Sequence, residues 1–203
     1  MDKTALFFFL NLSWTNHPLV SILNMKMANS NVTKRVLANS LKELVQETPL
    51  EKITIADICA SSGMNRKSFY YHFRDKYDLL KYIFQSEFMQ HHPFDTPSRG
   101  ESFYQLCQYL YENRDVYRHI FRPHQHNYFL LYFQETIKQA VTHDLMELQE
   151  NTNNDFYVYF MTDGLTGAIQ RWITHYNPMA PEEMLSKTRF LLEQIGLRIS
   201  KEK

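Results

Sequence analysis

The sequence has few of the residues that turn or cross-link a chain. Among 203 residues there are only 5 glycines, 7 prolines and 2 cysteines. An all-β chain needs a turn about every 8–12 residues, so this composition argues against one. Cys59 and Cys107 are far apart and form no CxxC pair, which argues against a disulfide framework or a Cys-rich zinc site. No apolar run reaches the roughly 20 residues that a membrane-spanning helix needs.

The chain also has no net charge, because 22 Lys and Arg residues balance 22 Asp and Glu residues. The overall charge therefore gives no indication of a nucleic-acid partner. The two signs are unevenly distributed: residues 31–82 carry 9 basic and 6 acidic side chains, whereas residues 83–203 carry 11 and 15. Aromatic residues make up 15% of the chain, and burial of so many rings offsets the entropy cost of folding. We expect a folded protein with a small basic segment before a larger acidic one.

The first residues form an apolar stretch, Ala5–Leu12, that precedes the regular pattern. A signal peptide is one interpretation, since Lys3 comes before the stretch, but no convincing small-residue cleavage site follows it. A disordered tail, or a non-native extension before a start at Met25 or Met27, explains it as well. We expect residues 1–28 to be such an extension, outside the folded part.

From Asn31 onwards, apolar residues recur at intervals of three and four, a spacing typical of amphipathic helices. The first helix is predicted to end at Pro49, and the stretch Pro93–Gly100 is the best candidate for a loop. Later helices are predicted at about 101–113, 115–121, 125–149, 154–176 and 182–200. No alternating strand pattern is present. We therefore predict an all-α protein with one domain at 29–82 and a second at 83–203.

The segment from Thr54 to Phe73 has the pattern of a short helix, a turn and a second short helix. Thr54 and Asp57 have the spacing of a capping box, Gly63 suits the left-handed residue that ends a helix, and Asn65 suits the next N-cap. A helix-turn-helix has this geometry and inserts its second helix into the major groove of DNA. An ordinary helical hairpin with a solvated basic face has the same spacing, so spacing alone leaves both interpretations open.

Polar residues lie where the DNA-binding interpretation needs them. Arg66 and Lys67 are in the first turn of the second helix, where their side chains can donate to guanine or hold a phosphate. Thr54 places a hydroxyl at a helix N-terminus, a natural site for an anion. The predicted DNA-binding residues are Thr54, Asn65, Arg66, Lys67, Ser68, Tyr70, Tyr71, His72 and Lys76.

The same residues resemble a known family. The run ITIADI at 53–58, Gly63 and the run SFYYHFRDKYDLL at 68–80 closely resemble the N-terminal DNA-binding domain of the TetR family of bacterial transcription regulators. The resemblance covers about residues 31–82. It implies a three-helix DNA-binding domain followed by a variable helical domain that dimerises and often binds a small ligand.

The resemblance also implies roles for individual residues. Thr54, Tyr70, His72 and Lys76 correspond to phosphate contacts, and residues 65–68 to contacts of the recognition helix. Lys67 differs from the family pattern, because many members have a small residue there. Because of this difference, the resemblance does not indicate which bases the recognition helix prefers.

The C-terminal part resembles a narrower group, the regulators of the dihydroxyacetone-kinase type. The run FYVYF at 156–160, Gly164, Gly167, Trp172 and the run PEEM at 181–184 carry this resemblance. Some members of that group act as coactivators through a partner protein. Two functions therefore stay open: a sequence-specific repressor with or without a small-molecule effector, and a ligand-sensing or adaptor coactivator that acts through another protein.

The helix predicted at 154–176 is apolar on two faces, which suits one face for the chain's own core and one for a second subunit. A single buried helix would also be apolar all round. We favour a homodimer, because a two-fold protein matches two half-sites about 34–36 Å apart on DNA. The predicted interface residues are Phe160, Gly164, Gly167, Trp172, Leu192 and Ile195.

A ligand pocket in the second domain is the last predicted site. Its candidate lining residues are Tyr104, Cys107, Tyr111, Phe121, Phe129 and Phe133. Aromatic residues at helical spacing are also typical of a core, so both interpretations apply to this set.

No enzyme motif is present: there is no Gly-rich phosphate loop, nucleophile elbow or HExxH. His119, His124 and His126 lie close together near Asp115, but their spacing fits no known zinc motif. We expect no enzymatic activity, no metal and no cofactor. The expected partners are a double-stranded DNA operator, a second copy of the chain, and an effector or partner protein. The expected location is the bacterial cytoplasm, away from membranes.

Overall fold

The computed structural model describes residues 18–91, 101–122, 128–148 and 155–201. Side chains are described at 29–91, 101–122, 128–143 and 155–194 within these ranges. All regular structure in them is helical, which confirms the all-α prediction. The predicted loop Pro93–Gly100 lies outside the described residues.

The described residues form nine α-helices and one π-helical turn. They are α1 (Pro18–Glu47), α2 (Ile55–Ser62), α3 (Arg66–His72), α4 (Lys76–Phe84), the π turn (Gln85–Met89), α5 (Glu101–Glu112), α6 (Arg114–Ile120), α7 (Tyr128–Leu148), α8 (Asp155–Thr174) and α9 (Pro181–Lys201). Helix α1 begins at Pro18 rather than at Asn31. Part of the expected N-terminal extension is therefore helical, while its first 17 residues lie outside the described ranges.

The short helices of the N-terminal part, which we call the head (α1–α4), begin and end at local hydrogen bonds. Thr54 Oγ1 accepts from the backbone N–H of Asp57 at 3.2 Å, and the backbone N–H of Thr54 donates to Asp57 Oδ2 at 2.8 Å. Asn65 Oδ1 accepts from the N–H of Ser68 at 2.8 Å. Asp75 Oδ1 accepts from two N–H groups at the start of α4. The predicted caps of α2 and α3 are present, and Asp75 caps α4 in the same way, so local residues fix where these three helices begin.

Tertiary packing holds these helices, because segments of seven to nine residues are too short to be stable alone. Leu41 of α1, Ile58 of α2, Phe69 of α3 and Leu79 of α4 are all fully buried. Together they form the centre of the head. Helices α2 and α3 are therefore fixed against a frame made by α1 and α4.

The C-terminal part, which we call the body (α5–α9), shares its core with the head. Helix α1 also packs on α6, and α4 packs on α7. Phe84, the last residue of α4, is fully buried among aromatic rings of the body. The domain boundary expected after residue 82 falls inside the continuous helical stretch 76–89. Head and body are thus joined through a helix and a common core.

In the described part of the chain, no helix has the length and apolar character that crossing a membrane requires.

Candidate nucleic-acid interface

The first turn of α3 faces away from the protein. Asn65, Arg66 and Lys67 are exposed, and Ser68 is half-buried. Phe69, in the next position, is fully buried, and its ring lies 5.8 Å from that of Phe73. These buried rings hold one side of α3 on the head, so the opposite side carries the basic residues outward. The structure brings together the residues predicted to read bases.

The turn between α2 and α3 sets the angle at which α3 leaves the head. Gly63 has a φ of 68°, a left-handed conformation that a residue with a side chain adopts only with strain. The Gly63 N–H donates to the carbonyl of Ala60 at 3.4 Å, and the Met64 N–H donates to that of Cys59 at 3.1 Å. These two bonds close the end of α2. The helix-turn-helix therefore follows directly from the glycine at this position.

The far end of α3 carries aromatic and imidazole groups. Tyr71 is 82% exposed and Tyr70 is 53% exposed. The rings of Tyr71 and His72 are 4.8 Å apart in an edge-on arrangement. Burial, with the nearby positive charge of Lys34, lowers the pKa of His72 below its usual value of 6.5. The imidazole is therefore neutral at pH 7 in the free protein, with one ring N–H available as a donor.

Thr54 also lies at the surface, but its hydroxyl has partners in the chain. The Oγ1 atom donates to Asp57 Oδ2 at 2.7 Å while it accepts from the Asp57 backbone. These bonds hold the pKa of the Asp57 carboxyl below its usual value. Thr54 thus fixes the start of α2, and the residue is exposed to solvent.

The ammonium group of Lys76, which was expected to contact a phosphate, has partners within the protein. Its Nζ donates to the backbone carbonyls of Leu50 at 2.6 Å, Ile53 at 2.8 Å and Glu51 at 3.1 Å. An ammonium group has three N–H donors, so all of them have protein acceptors here. Burial lowers the pKa of Lys76. The geometry corrects the expectation of a phosphate contact by this ammonium group: Lys76 holds the turn before Thr54 in place.

Replacement of Lys76 by Met is expected to destabilise the protein by about 1–2 kcal/mol, because three carbonyls lose a charged donor. Urea unfolding followed by circular dichroism would measure the loss. Lys67→Met is the matched control, since Lys67 is exposed, and we expect a change within about 0.5 kcal/mol there. Equal effects of the two substitutions would contradict the structural role of Lys76.

The predicted pocket residues do not line one cavity. Cys107, Phe121, Phe129 and Phe133 have no exposed surface, and the rings of Phe121 and Phe133 are only 4.9 Å apart. Burial also raises the pKa of the Cys107 thiol to about 12. These side chains fill the core of the body, as aromatic residues at helical spacing commonly do.

The remaining two pocket residues lie elsewhere in the body. Tyr111 is stacked on Trp172 with ring centres 6.2 Å apart. Tyr104 donates from its hydroxyl to Glu182 Oε1 at 2.7 Å, which raises the pKa of the tyrosine and lowers that of the glutamate. Tyr104 lies in an open groove of about 590 Å³ between α5 and α9, whose lining residues are Glu101, Tyr104, Glu182, Leu185, Ser186, Arg189, Phe190 and Glu193.

The predicted dimer residues fall into two groups. Phe160, Gly164 and Leu192 are exposed, and a methyl group added at Gly164 would meet no atom within 4 Å. Gly167 is half-buried. Trp172 belongs to the chain's own core instead, which corrects its assignment: it is 6% exposed, and its Nε1–H donates to the carbonyl of Met179 at 2.8 Å. The side chain of Ile195 lies outside the described residues.

The prediction also left out exposed apolar residues on the same two helices. Phe156 and Tyr159 of α8 are 67% and 53% exposed, and Phe190 and Leu191 of α9 are 63% and 57% exposed. The aromatic run at 156–160 was a signal for this surface, because one helix face cannot bury four rings within five consecutive residues.

Within the described ranges, no group of three or more His, Cys, Asp or Glu side chains has the arrangement to hold a metal ion. His119 is half-buried, and burial with the neighbouring Arg122 and Arg118 lowers its pKa. His124 and His126 lie outside the described residues.

Comparisons with known proteins agree with this geometry. The family described as "Bacterial regulatory proteins, tetR family" matches residues 40–83, and the family described as "Transcriptional regulator C-terminal region" matches residues 100–194. A curated relative is the HTH-type dhaKLM operon transcriptional activator DhaS of Lactococcus lactis subsp. lactis (strain IL1403), 27% identical over 124 residues. That match spans 59% of this chain and 65% of the relative.

Two solved structures share the fold. A dihydroxyacetone kinase operon activator, DhaS, has a TM-score of 0.59 at 22% identity, over 82% of this chain and 97% of that one. A TetR transcriptional regulator from Streptococcus agalactiae 2603V has a TM-score of 0.63 at 22% identity, over 81% of this chain and 96% of that one. Identities this low carry information on fold alone.

Proposed function

The chain belongs to the TetR family of bacterial regulatory proteins, and we propose that it is a homodimeric regulator whose two α3 helices read the half-sites of one operator. The observation that carries this proposal is the orientation of α3. Arg66 and Lys67 are exposed at its first turn while Phe69 is fully buried behind them. This arrangement suits insertion of the first turn into the major groove, where bases are distinguished by hydrogen bonds.

The proposed contacts divide into two groups. Arg66, Lys67 and Ser68 supply base contacts, and Asn65, which caps the same helix, is exposed beside them. Tyr70, Tyr71 and His72, with the outer surface of Thr54, supply phosphate contacts, which position the protein on the duplex without reading sequence. Lys76 acts through Thr54, because its ammonium group holds the turn that precedes that residue.

We propose activation of transcription as the effect of binding, in place of the repression expected from the sequence. The support is the curated relative, which is described as a transcriptional activator of an operon. This proposal does not depend on whether the protein also binds a small-molecule effector. A bound effector would act by favouring one arrangement of the two heads over another. The size of its effect is limited by the difference in its affinity for these two arrangements.

A second candidate function is that of an adaptor coactivator that acts through another protein. The groove between α5 and α9 favours it, because three glutamates and one arginine line the groove and Phe190 exposes an apolar ring there. Such an adaptor would bind no duplex unless its protein partner were added. DNA binding by the purified chain alone therefore distinguishes the two functions.

The test is selection of bound duplexes from a random pool, followed by titration of the selected duplex with wild type and Arg66→Ala. We expect the wild type to bind without any added protein and to lose affinity steeply with salt, since phosphate contacts release counterions. Arg66→Ala is expected to lose about 1–3 kcal/mol on the selected duplex and much less on random DNA.

Arg189→Ala is the matched control, because this exposed arginine lies on α9 in the body. It should bind both duplexes as the wild type does. Failure of the folded wild-type protein to bind any duplex at low salt would exclude the first function and favour the adaptor. Equal losses for Arg66→Ala on selected and random DNA would exclude its role in base reading.

A further inference from the structure

A chain of polar contacts crosses from the head to the body at the π turn. Glu87 lies in this turn, and both of its carboxylate oxygens have partners. Lys42 Nζ, from α1 of the head, donates to Oε1 at 2.6 Å. The hydroxyl of Tyr109, from α5 of the body, donates to Oε2 at 3.1 Å. The Tyr109 hydroxyl also lies 2.8 Å from that of Tyr117, on α6.

The π turn itself places Glu87 at this position. The N–H of Gln90 donates to the carbonyl of Gln85 at 3.0 Å, one residue further back than in an α-helix. Ser86 Oγ donates to the carbonyl of Tyr82 at 2.7 Å and so satisfies a carbonyl in the preceding turn. Phe84 and Phe88 both lie in the aromatic core, while the carboxylate of Glu87 contacts α1 and α5.

In this network of side chains, the donor and the acceptor of each hydrogen bond can be assigned. Burial raises the pKa of both Tyr109 and Tyr117, so each phenol keeps its proton. Tyr109 uses its proton for Glu87, and Tyr117 therefore donates to Tyr109. Tyr117 is only 2% exposed, and the side chains of Lys42 and Glu87 are 24% and 32% exposed. A partly buried network of this kind is specific in geometry, because each displaced group loses a partner that water does not fully replace.

The aromatic contacts around the network do not supply the same constraint. The ring centre of Phe84 lies 6.1 Å from that of Phe129 and 5.7 Å from that of Phe133 on α7, and aromatic pairs occur over a range of about 4.5–7 Å. Hydrogen bonds to a carboxylate are directional and tolerate a much narrower range of distances. The orientation of α4 relative to the body therefore depends on this network in addition to the packing of Phe84.

We propose that Glu87 is a positioning residue that fixes the orientation of the head on the body, and thereby the operator half-site separation at which both α3 helices can bind. Helix α4 has nine residues and a length of about 13 Å, so a rotation of about 10° at the π turn displaces its far end by about 2 Å. This inference rests on the proposed function, because it concerns how two heads meet one duplex.

The test uses the full chain with Glu87→Gln and Tyr109→Phe. An amide cannot accept from both Lys42 and Tyr109, since its NH2 group meets a donor on one side. Tyr109→Phe keeps the ring and removes only the hydroxyl. Glu112→Gln, an exposed glutamate on α5, is the matched control. Affinities are measured on selected duplexes whose half-site separation is changed one base pair at a time, and on a duplex with a single half-site.

We expect both variants to bind the single half-site within about twofold of the wild type, because that measurement needs one head only. On the optimal two-site duplex, the variants should bind about tenfold more weakly than the wild type. Their affinity should also depend less on the separation between the two half-sites. An unchanged separation preference in both variants, or an equal loss on one-site and two-site duplexes, would overturn the proposal. If the wild type binds no duplex, the proposed function fails instead.

A second measurement does not use DNA. Spin labels at Ala60→Cys in the head and Gln108→Cys in the body, both at exposed positions, report the head-to-body distance. Dilution with unlabelled protein removes distances between subunits. We expect the distance distribution to broaden in Glu87→Gln and in Tyr109→Phe but not in Glu112→Gln. Distributions of unchanged width in the two variants would overturn the proposal even where one of them is less stable.

Discussion

Replacement of Phe160 by Glu is expected to convert the proposed dimer to a monomer and to weaken operator binding by about 100-fold or more. Phe160 is 58% exposed, and its ring is stacked on that of Phe156 at 5.9 Å. Phe190 and Leu191 of α9 are exposed as well, and a soluble monomer rarely leaves so many large apolar side chains in contact with water. A carboxylate placed there would have to lose its water without an opposite charge.

The loss of affinity follows from the number of heads. In a dimer, binding of one α3 helix holds the second close to its half-site, so the second event is effectively intramolecular. A monomer has only the single-site affinity. Sedimentation velocity would measure the change in mass, and titration of the selected duplex would measure the change in affinity.

Tyr176→Glu is the control for this experiment. Tyr176 is 94% exposed and follows the end of α8, so the substitution adds the same charge near the same helix outside the proposed interface. Leu192→Glu tests the α9 side and should reproduce the effect of Phe160→Glu. Persistence of the dimer in both interface variants would show that the exposed face of α8 and α9 has another partner.

The parts of the head that depend on local hydrogen bonds could be predicted from the sequence. Thr54, Asn65 and Asp75 each accept from an N–H two or three residues further on, and Gly63 ends α2 through its own backbone conformation. Such interactions depend only on residues within one turn of helix, and the residue types that make them are few. The orientation of α3 follows from the burial of Phe69, which helical spacing also indicates.

The role of Lys76 could not be predicted in this way. Its three acceptors are separated from it by more than twenty residues and are backbone carbonyls, which carry no sequence signal. The π turn could not be predicted from the sequence for a related reason. Its five residues are too few to show a periodicity of their own. The position of Glu87 between α1 and α5 is therefore visible only in three dimensions.

The body shows a third limit of sequence patterns. Trp172 and Phe160 are both aromatic residues of α8, yet one is in the chain's own core and the other is exposed. The sequence indicates two apolar faces on α8, but it contains no information on which of them the same chain covers. Phe121, Phe129 and Phe133 have the same ambiguity between a pocket and a core, and packing against Phe84 decides it.

Replacement of Phe84 by Ala is expected to give the largest loss of stability, about 3–5 kcal/mol. Phe84 has no exposed surface, and its ring lies within about 6.5 Å of six others, from Phe88, Tyr109, Tyr117, Phe129, Tyr132 and Phe133. Removal of the ring leaves a cavity whose walls come from α4, α5, α6 and α7, so a movement of one helix cannot close it. Urea unfolding of the dimer at a fixed protein concentration would measure the loss.

Benzene provides a sharper test of the same variant. An apolar cavity walled by these rings stays dry and should bind a small aromatic molecule, so saturating benzene is expected to raise the melting temperature of Phe84→Ala and not that of the wild type. Tyr71→Ala is the matched control, since Tyr71 is 82% exposed and its loss should change stability by no more than about 0.5 kcal/mol. A loss below about 1 kcal/mol for Phe84→Ala, with no response to benzene, would mean that the head and the body do not share one core around this ring.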